Sequence, residues 1–189
     1  MKFPDLQEYA MTYLARYNNT EQGLVRVLKA KLRRWAIKAE QECVEPSEVN
    51  EGMQKGQQQI LEIIAKVKRL GIINDQSFAE YKVTSLIRSG RSQKVIQNKL
   101  LQKGVDSNVI QSVLDQYQDK DVELLAALVY ARKRRIGPFR RTDREENAEL
   151  KQKEQLSFAR GGFSFGMSSK ILSMCQSEAE ETIEMLRSL

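Results

Sequence analysis

The 189-residue chain contains no histidine. Histidine is the commonest general base and the commonest metal ligand in proteins, because its ordinary pKa lies near physiological pH. Its absence therefore disfavours a catalyst. The acidic residues near the C-terminus, Glu178, Glu180, Glu181 and Glu184, have no histidine or cysteine set to join them. We expect a protein that is not an enzyme, with no catalytic residue, no metal and no cofactor.

Cysteine is scarce, and long apolar runs are missing. Cys43 and Cys175 lie far apart in the sequence and match no metal-ligand spacing, so we expect free thiols that are buried or partly buried. No apolar run approaches the roughly 20 residues needed to span a bilayer. The N-terminus also lacks the features of a signal peptide. We expect a cytoplasmic protein with no membrane partner.

Aromatic residues make up only 7% of the chain, and there are three prolines. Hydrophobic residues reach 41%, mostly as leucine, isoleucine, valine and alanine, and charged residues reach 30%. This composition is typical of a folded, soluble protein, and the apolar types suit packed helices better than a β-sandwich or barrel. The composition predicts an all-α protein.

Helical spacing begins close to the N-terminus. A first helix is predicted over about 5–17, and Thr20 is a candidate cap for a second helix that ends at about 35–37. The stretch 38–59 then combines Pro46, Gly52 and Gly56 with many glutamates and glutamines. We expect a mobile or irregular acidic insertion there. A further helix is predicted from about Ile60, with Gly71 as its stop.

Tyrosines and phenylalanines are interpreted first as packing residues. Tyr9, Tyr13 and Tyr17 lie on the apolar stripe of the first predicted helix, which favours a core or interface role over a stacking ladder for bases. Phe163 and Phe165 are likewise expected to anchor the last glycine turn.

The second half of the chain alternates helices with glycine stops. Asn74, Asp75 or Ser77 is expected to cap one helix, Gly90 and Gly104 end the next two, and Gly137 ends a long helix that becomes strongly basic. A charged helix is predicted over 143–160 and ends at a Gly-Gly pair.

One segment of the chain repeats. KGVDSNVIQSVL at 103–114 aligns with GGFSFGMSSKIL at 161–172, and each has the order helix, glycine turn, capped helix. A unit of three short helices cannot bury its apolar faces alone, so tandem copies should stack on one another. We predict an elongated, curved array of tandem three-helix repeats: 1–73 with the insertion at 38–59, 74–118, and 119–189 with a C-terminal helix.

Positive charge is concentrated in two places. The net charge is +6, and ARKRRIGPFRR at 131–141 contains no acid. Arginine forks suit phosphates and carboxylates equally, but positive charge at a helix C-terminus is also favourable in itself, so a solvated helix end stays an alternative. The candidate partner- or phosphate-binding residues are Arg132, Lys133, Arg134, Arg135, Arg140 and Arg141, with a second group, Arg88, Arg91, Lys94, Lys99 and Lys103, near the Gly90 turn.

The chain resembles the RecX family of RecA modulators. The resemblance is carried by GIINDQSFAEY at 71–81, LLQKGV at 100–105 and ARGGFS at 159–164, in this order and at about the family's separations. It implies a non-enzymatic protein of tandem three-helix repeats that binds the RecA recombinase filament on single-stranded DNA. It also implies that the protein restrains filament extension, ATP hydrolysis and strand exchange, in homologous recombination, DNA repair and the SOS response. We expect a monomer, with non-specific duplex DNA as a further partner.

A free-standing DNA-binding regulator is the alternative. The segment from Ser92 to Leu114 would then act as a helix-turn-helix pair. Such a regulator prefers one duplex site over random DNA, whereas phosphate-driven binding has no preference and falls steeply with salt.

Overall fold

The computed structural model of the chain describes residues 2–117, 120–141 and 147–187. All regular elements of these residues are helical, with ten α-helices, one short 3₁₀ helix and no strand. The prediction of an all-α protein is confirmed. The described part of the chain forms two compact units, and the expected division into three repeats stays a prediction.

The first unit comprises 1–78 and 103–106. Its helices are α1 (Leu6–Leu14), α2 (Glu21–Gln41) and α3 (Pro46–Arg69). The three helices pack on one another through a core that includes Leu6, Leu24, Leu28, Leu32, Ile60, Ile64 and Val67. Tyr9 and Tyr13 pack against this core as predicted, but Tyr17 is 56% exposed and lies outside the core, with its ring 5.0 Å from that of Tyr13.

Two side chains support the start of α2. Thr20 caps the helix as predicted, because its Oγ1 accepts the Gly23 N–H at 2.9 Å, and the same hydroxyl donates to the Lys103 carbonyl at 2.6 Å. The Asp75 carboxylate accepts the Glu21 N–H at 2.9 Å. Burial raises the pKa of Asp75, and the hydrogen bond from Glu21 opposes that rise. Asp75, the last residue of the GIIND segment, therefore stabilises the start of α2 in the first unit.

The predicted irregular insertion at 38–59 is wrong. The second helix continues to Gln41, and α3 begins at Pro46, which occupies the first helical position, where its missing N–H costs nothing. Gly52 and Gly56 lie inside α3, where a Cβ atom would collide with the Trp35 ring or approach Leu32 Cδ1 to 2.5 Å. These glycines let α3 pack closely on α2 and do not break the helix.

The second unit comprises 79–102 and 107–189. The helices that follow α3 are α4 (Asp75–Arg88), α5 (Gln93–Lys103), α6 (Ser107–Asp115), α7 (Lys120–Arg134), α8 (Ala148–Arg160), α9 (Phe165–Leu172) and α10 (Gln176–Arg187), with the 3₁₀ helix at Gly137–Phe139. Asn74 caps α4 by accepting the Ser77 N–H at 3.1 Å. The predicted charged helix is observed from Ala148, and residues 143–146 of that prediction lie outside the described residues.

An aromatic cluster lies in the core of the second unit. The Tyr130 ring centroid is 5.5 Å from that of Phe158 and 5.3 Å from that of Phe163. The Tyr130 hydroxyl donates to the Ser157 carbonyl at 2.8 Å, which satisfies its polar group. Phe163 is buried as predicted, but Phe165 is 73% exposed, so its predicted packing role is wrong.

Both cysteines are free thiols, as expected, but both are exposed, so the prediction that they are buried is wrong. Cys175 lies directly before α10 in the second unit. A hydrogen bond with the Ser177 hydroxyl lowers the pKa of the Cys175 thiol.

The turn between α4 and α5 depends on Gly90. Its φ of +79° lies in the left-handed region, and a Cβ atom would lie 2.8 Å from the backbone nitrogen of Tyr130. We expect Gly90→Ala to destabilise the protein by about 2–5 kcal/mol, from backbone strain of about 1–2 kcal/mol and overpacking of about 1–3 kcal/mol. Urea unfolding followed by far-UV circular dichroism measures this loss.

Gly71 provides a matched control for Gly90. Its φ is +67°, but no atom lies within 4 Å of the Cβ position. Gly71→Ala should therefore cost only the strain of about 1–2 kcal/mol. Equal destabilisation by the two substitutions would contradict the close packing of the Gly90 turn on α7.

Candidate cationic surface

Two glycine turns of the second unit lie against Tyr130 of α7. The Cβ position of Gly90 is 2.8 Å from Tyr130 N, and the Cβ position of Gly161 is 3.0 Å from Tyr130 Cζ. The first turn joins α4 to α5, and the second joins α8 to α9. Tyr130 therefore brings together two turns that are about 70 residues apart in sequence.

A hydrogen bond links the two turns directly. The buried Ser92 hydroxyl donates to the Gly161 carbonyl at 2.6 Å and accepts the Val95 N–H at 3.3 Å, so it also caps α5. The backbones of Arg91 and Arg160, the chain neighbours of Ser92 and Gly161, therefore run close together. A Cβ atom on Gly162 would lie 3.4 Å from Lys94 Cβ, so Lys94 belongs to the same region.

The basic end of α7 adjoins both turns. Lys133 Nζ donates to the Ser89 carbonyl at 2.9 Å, beside Arg88 and the Gly90 turn. The Arg134 guanidinium lies 5.5 Å from the centroid of the Tyr130 ring, a distance at which the ring attracts a cation. The helix ends as Arg135 takes a positive φ of 54°. Lys133 of the first predicted basic group therefore reaches the turn that is flanked by Arg88 and Arg91 of the second.

We call these side chains the turn cluster. All of its members are exposed, and they are Arg88, Arg91, Lys94, Arg132, Lys133, Arg134, Arg135 and Arg160. Seven of them are predicted from the sequence. Arg160 is not among the residues predicted from the sequence. Its position as the last residue of α8, directly before the Gly-Gly turn, is the signal that could have identified it. Lys99 is exposed further along α5, and Lys103 is exposed but belongs to the first unit.

Arg140 does not belong to the turn cluster. Its Nε lies 3.0 Å from Glu154 Oε1 and its Nη2 lies 2.7 Å from Glu154 Oε2, a bidentate ion pair. The side chains are only 13% and 4% exposed, and Glu154 also accepts the Gly137 N–H at 3.2 Å. Arg140 therefore fixes the Gly137–Phe139 segment on α8, whereas Arg141 is exposed at the end of this described segment.

One further carboxylate lies beside the turn cluster. Glu123 Oε2 accepts the backbone N–H of Gln93, the neighbour of Lys94, at 3.3 Å. Burial raises the pKa of Glu123, and the hydrogen bond from Gln93 opposes that rise. The carboxylate supports the start of α5.

The turn cluster provides ammonium and guanidinium donors on backbone positions that the fold fixes. Such donors bind phosphate oxygens through charge-assisted hydrogen bonds, and several contacts together release the counterions of a nucleic acid. Among the described residues, no group of three or more histidine, cysteine, aspartate or glutamate side chains is arranged to hold a metal ion. Within the same ranges, no helix has the length and apolar character needed to cross a bilayer.

The fold and the turn cluster define an all-helical protein that presents a cationic surface. Comparison with known proteins identifies its family. Residues 74–114 match the family model of the second three-helix domain of RecX. The chain is 37% identical over 171 residues to the regulatory protein RecX of Myxococcus xanthus, which covers 88% of this chain and 83% of that protein. The chain therefore belongs to the RecX family.

Two further comparisons agree with this assignment. The regulatory protein RecX of Agrobacterium fabrum is 39% identical over 111 residues, which cover 59% of this chain and 57% of that protein. The crystal structure of RecX from Lactobacillus salivarius superimposes with a TM-score of 0.57 at 21% identity, over 97% of this chain and 96% of that one. At this identity the superposition shows a shared fold.

Proposed function

We propose that the chain regulates the RecA recombinase by binding the RecA filament on single-stranded DNA. In this proposal it restrains filament extension, ATP hydrolysis and strand exchange, and so acts in homologous recombination, DNA repair and the SOS response. It works in the cytoplasm as a monomer and carries out no chemistry. Membership of a family of regulatory proteins supports the regulatory role.

The observation that carries the proposal is a set of eight exposed cations on two hydrogen-bonded turns and on the end of α7 that adjoins them. A RecA filament on DNA presents repeated protein surfaces with phosphates nearby. Weak contacts made to several of these sites together add through effective concentration, so no single strong contact is needed. Occupying the filament in this way obstructs the addition of subunits.

The proposal predicts that substoichiometric amounts of the protein slow ATP hydrolysis by RecA on single-stranded DNA. The measurement is the steady-state hydrolysis rate with and without the protein, whose folding is verified by circular dichroism. A pull-down should also recover more RecA when RecA is assembled on single strands than when it is free. An unchanged hydrolysis rate with folded protein would contradict the proposal.

A duplex-DNA regulator is the second candidate. It is favoured by the exposed face of α5, where Gln97, Asn98 and Lys99 provide side-chain types that read base edges in the major groove. A regulator of this kind would bind one duplex sequence far more tightly than random DNA. Selection from a random duplex library, repeated at several salt concentrations, distinguishes it from phosphate-driven binding, which shows no sequence preference.

A further inference from the structure

Phe165 has the most exposed large hydrophobic side chain among the described residues, at 73%. It is the first residue of α9, directly after the cap Ser164, whose Oγ accepts the Met167 N–H at 3.1 Å. Its own carbonyl accepts the Ser168 hydroxyl at 2.8 Å. The backbone beneath the ring is therefore fixed, although the ring itself is not packed.

The location of Phe165 distinguishes it from an ordinary exposed hydrophobic residue. Three peptide steps of about 3.8 Å separate it from Gly162, so the two Cα atoms lie within about 11 Å. Gly162 packs beside Lys94, and the neighbouring Gly161 accepts the Ser92 hydroxyl. The backbone of Phe165 therefore lies within about 11 Å of the turn that follows Arg160 and packs beside Lys94.

The Phe165 side chain is open to solvent over most of its surface, at 73% exposure, so a flat ligand can reach the ring. Sites for single-stranded nucleic acid combine cations that follow the backbone with aromatic rings on which bases stack. Stacking tolerates any sequence because every base has a π face. The turn cluster supplies the cations, and Phe165 supplies an unoccupied aromatic ring.

We infer that Phe165 stacks on a base of single-stranded DNA while Lys94 and Arg160 bind the flanking phosphates. This inference rests on the proposed function, in its contact with single-stranded DNA. It deepens that function by adding a base contact to the phosphate contacts of the turn cluster.

Binding of a labelled single-stranded oligonucleotide, followed by fluorescence anisotropy, tests the inference. Phe165→Ala should weaken binding about 5- to 150-fold, because base–aromatic stacking contributes about 1–3 kcal/mol per base. The slope of affinity against salt should stay unchanged, since no charge is lost. Phe165→Trp should retain binding, and its added indole fluorescence should change when DNA binds.

Tyr81→Ala is the matched control. Tyr81 is also an exposed aromatic residue of the second unit, at 64%, but it lies nine residues before Gly90, about 13 Å along α4. This substitution should leave binding unchanged. An oligonucleotide with abasic sites is a second control, because it keeps the phosphates and removes the stacking partners. The wild type should bind it more weakly than the intact strand, and Phe165→Ala should bind both strands equally.

The outcomes separate the inference from the proposed function. If the wild type binds single strands and Phe165→Ala binds them equally well, the inference is wrong and the proposed function stands. A loss that is as large on abasic DNA as on intact DNA would also overturn the stacking contact. If the wild type slows RecA without binding DNA, the inference fails together with the DNA contact, whereas the action on RecA stands.

Discussion

Replacing Arg132, Arg134 and Arg135 with glutamate is expected to remove most of the effect on RecA. A charge pair about 4 Å apart contributes about 1 kcal/mol in water, so the loss of three phosphate contacts should weaken single-strand binding by roughly a hundredfold or more. The three side chains are exposed, so the unit should still fold. The measurements are anisotropy on single-stranded DNA and the RecA hydrolysis rate.

The dependence on salt provides an independent readout of the same variant. Each phosphate contact on a single strand contributes about 0.7 to the slope of log affinity against log salt, so the slope should fall by about 2. A smaller affinity with an unchanged slope would mean that these arginines act through something other than phosphates.

Arg33→Glu, Lys66→Glu and Arg69→Glu together form the matched control. These three residues are exposed on α2 and α3 of the first unit, and their reversal changes the net charge by the same amount. The control should retain most of the binding and of the effect on RecA. If both triple variants lose the same affinity, net charge is responsible and the turn cluster is the wrong surface.

The helices are predictable from the sequence because the signals that start and end them are local. Thr20 caps α2, Gly90 and Gly104 take positive φ angles where helices stop, and both features depend on the nearest few residues. Gly52 and Gly56 show the limit of such signals. A glycine in a sequence marks either the end of a helix or a close contact between helices. For Gly52 and Gly56 the outcome depends on Trp35 and Leu32, and the local sequence does not show that these side chains lie beside the two glycines.

The candidate site is only partly predictable for the same reason. The basic run at the end of α7 is a local feature, so it can be identified directly. Its approach to Arg91 and Arg160 depends on the hydrogen bond from Ser92 to Gly161, which joins residues far apart in the chain. Arg140 resembles its basic neighbours in the sequence, yet Glu154, fourteen positions later, neutralises it. Charge patterns show which residues are cationic, but packing decides which cations remain available.

The Arg140–Glu154 pair should make one of the largest side-chain contributions to the stability of the second unit. Glu154→Ala removes the bidentate carboxylate from a largely buried guanidinium and the acceptor of the Gly137 N–H. Breaking a buried pair in this way costs about 3–5 kcal/mol. We expect a lower urea midpoint and faster hydrogen exchange in α8. Arg140→Met with Glu154→Leu should recover most of the loss, because no buried charge then remains unpaired.

Glu149→Ala is the control on the same helix. Glu149 pairs with Lys153 at 2.6 Å, but the two side chains are 74% and 67% exposed. The hydrogen bond from Lys153 lowers the pKa of Glu149, yet water screens a pair this exposed, so its removal should change stability little. Similar losses for Glu149→Ala and Glu154→Ala would show that Glu154 matters as a helix residue and not as the partner of Arg140. A loss confined to Glu154→Ala would establish that burial gives this ion pair its importance.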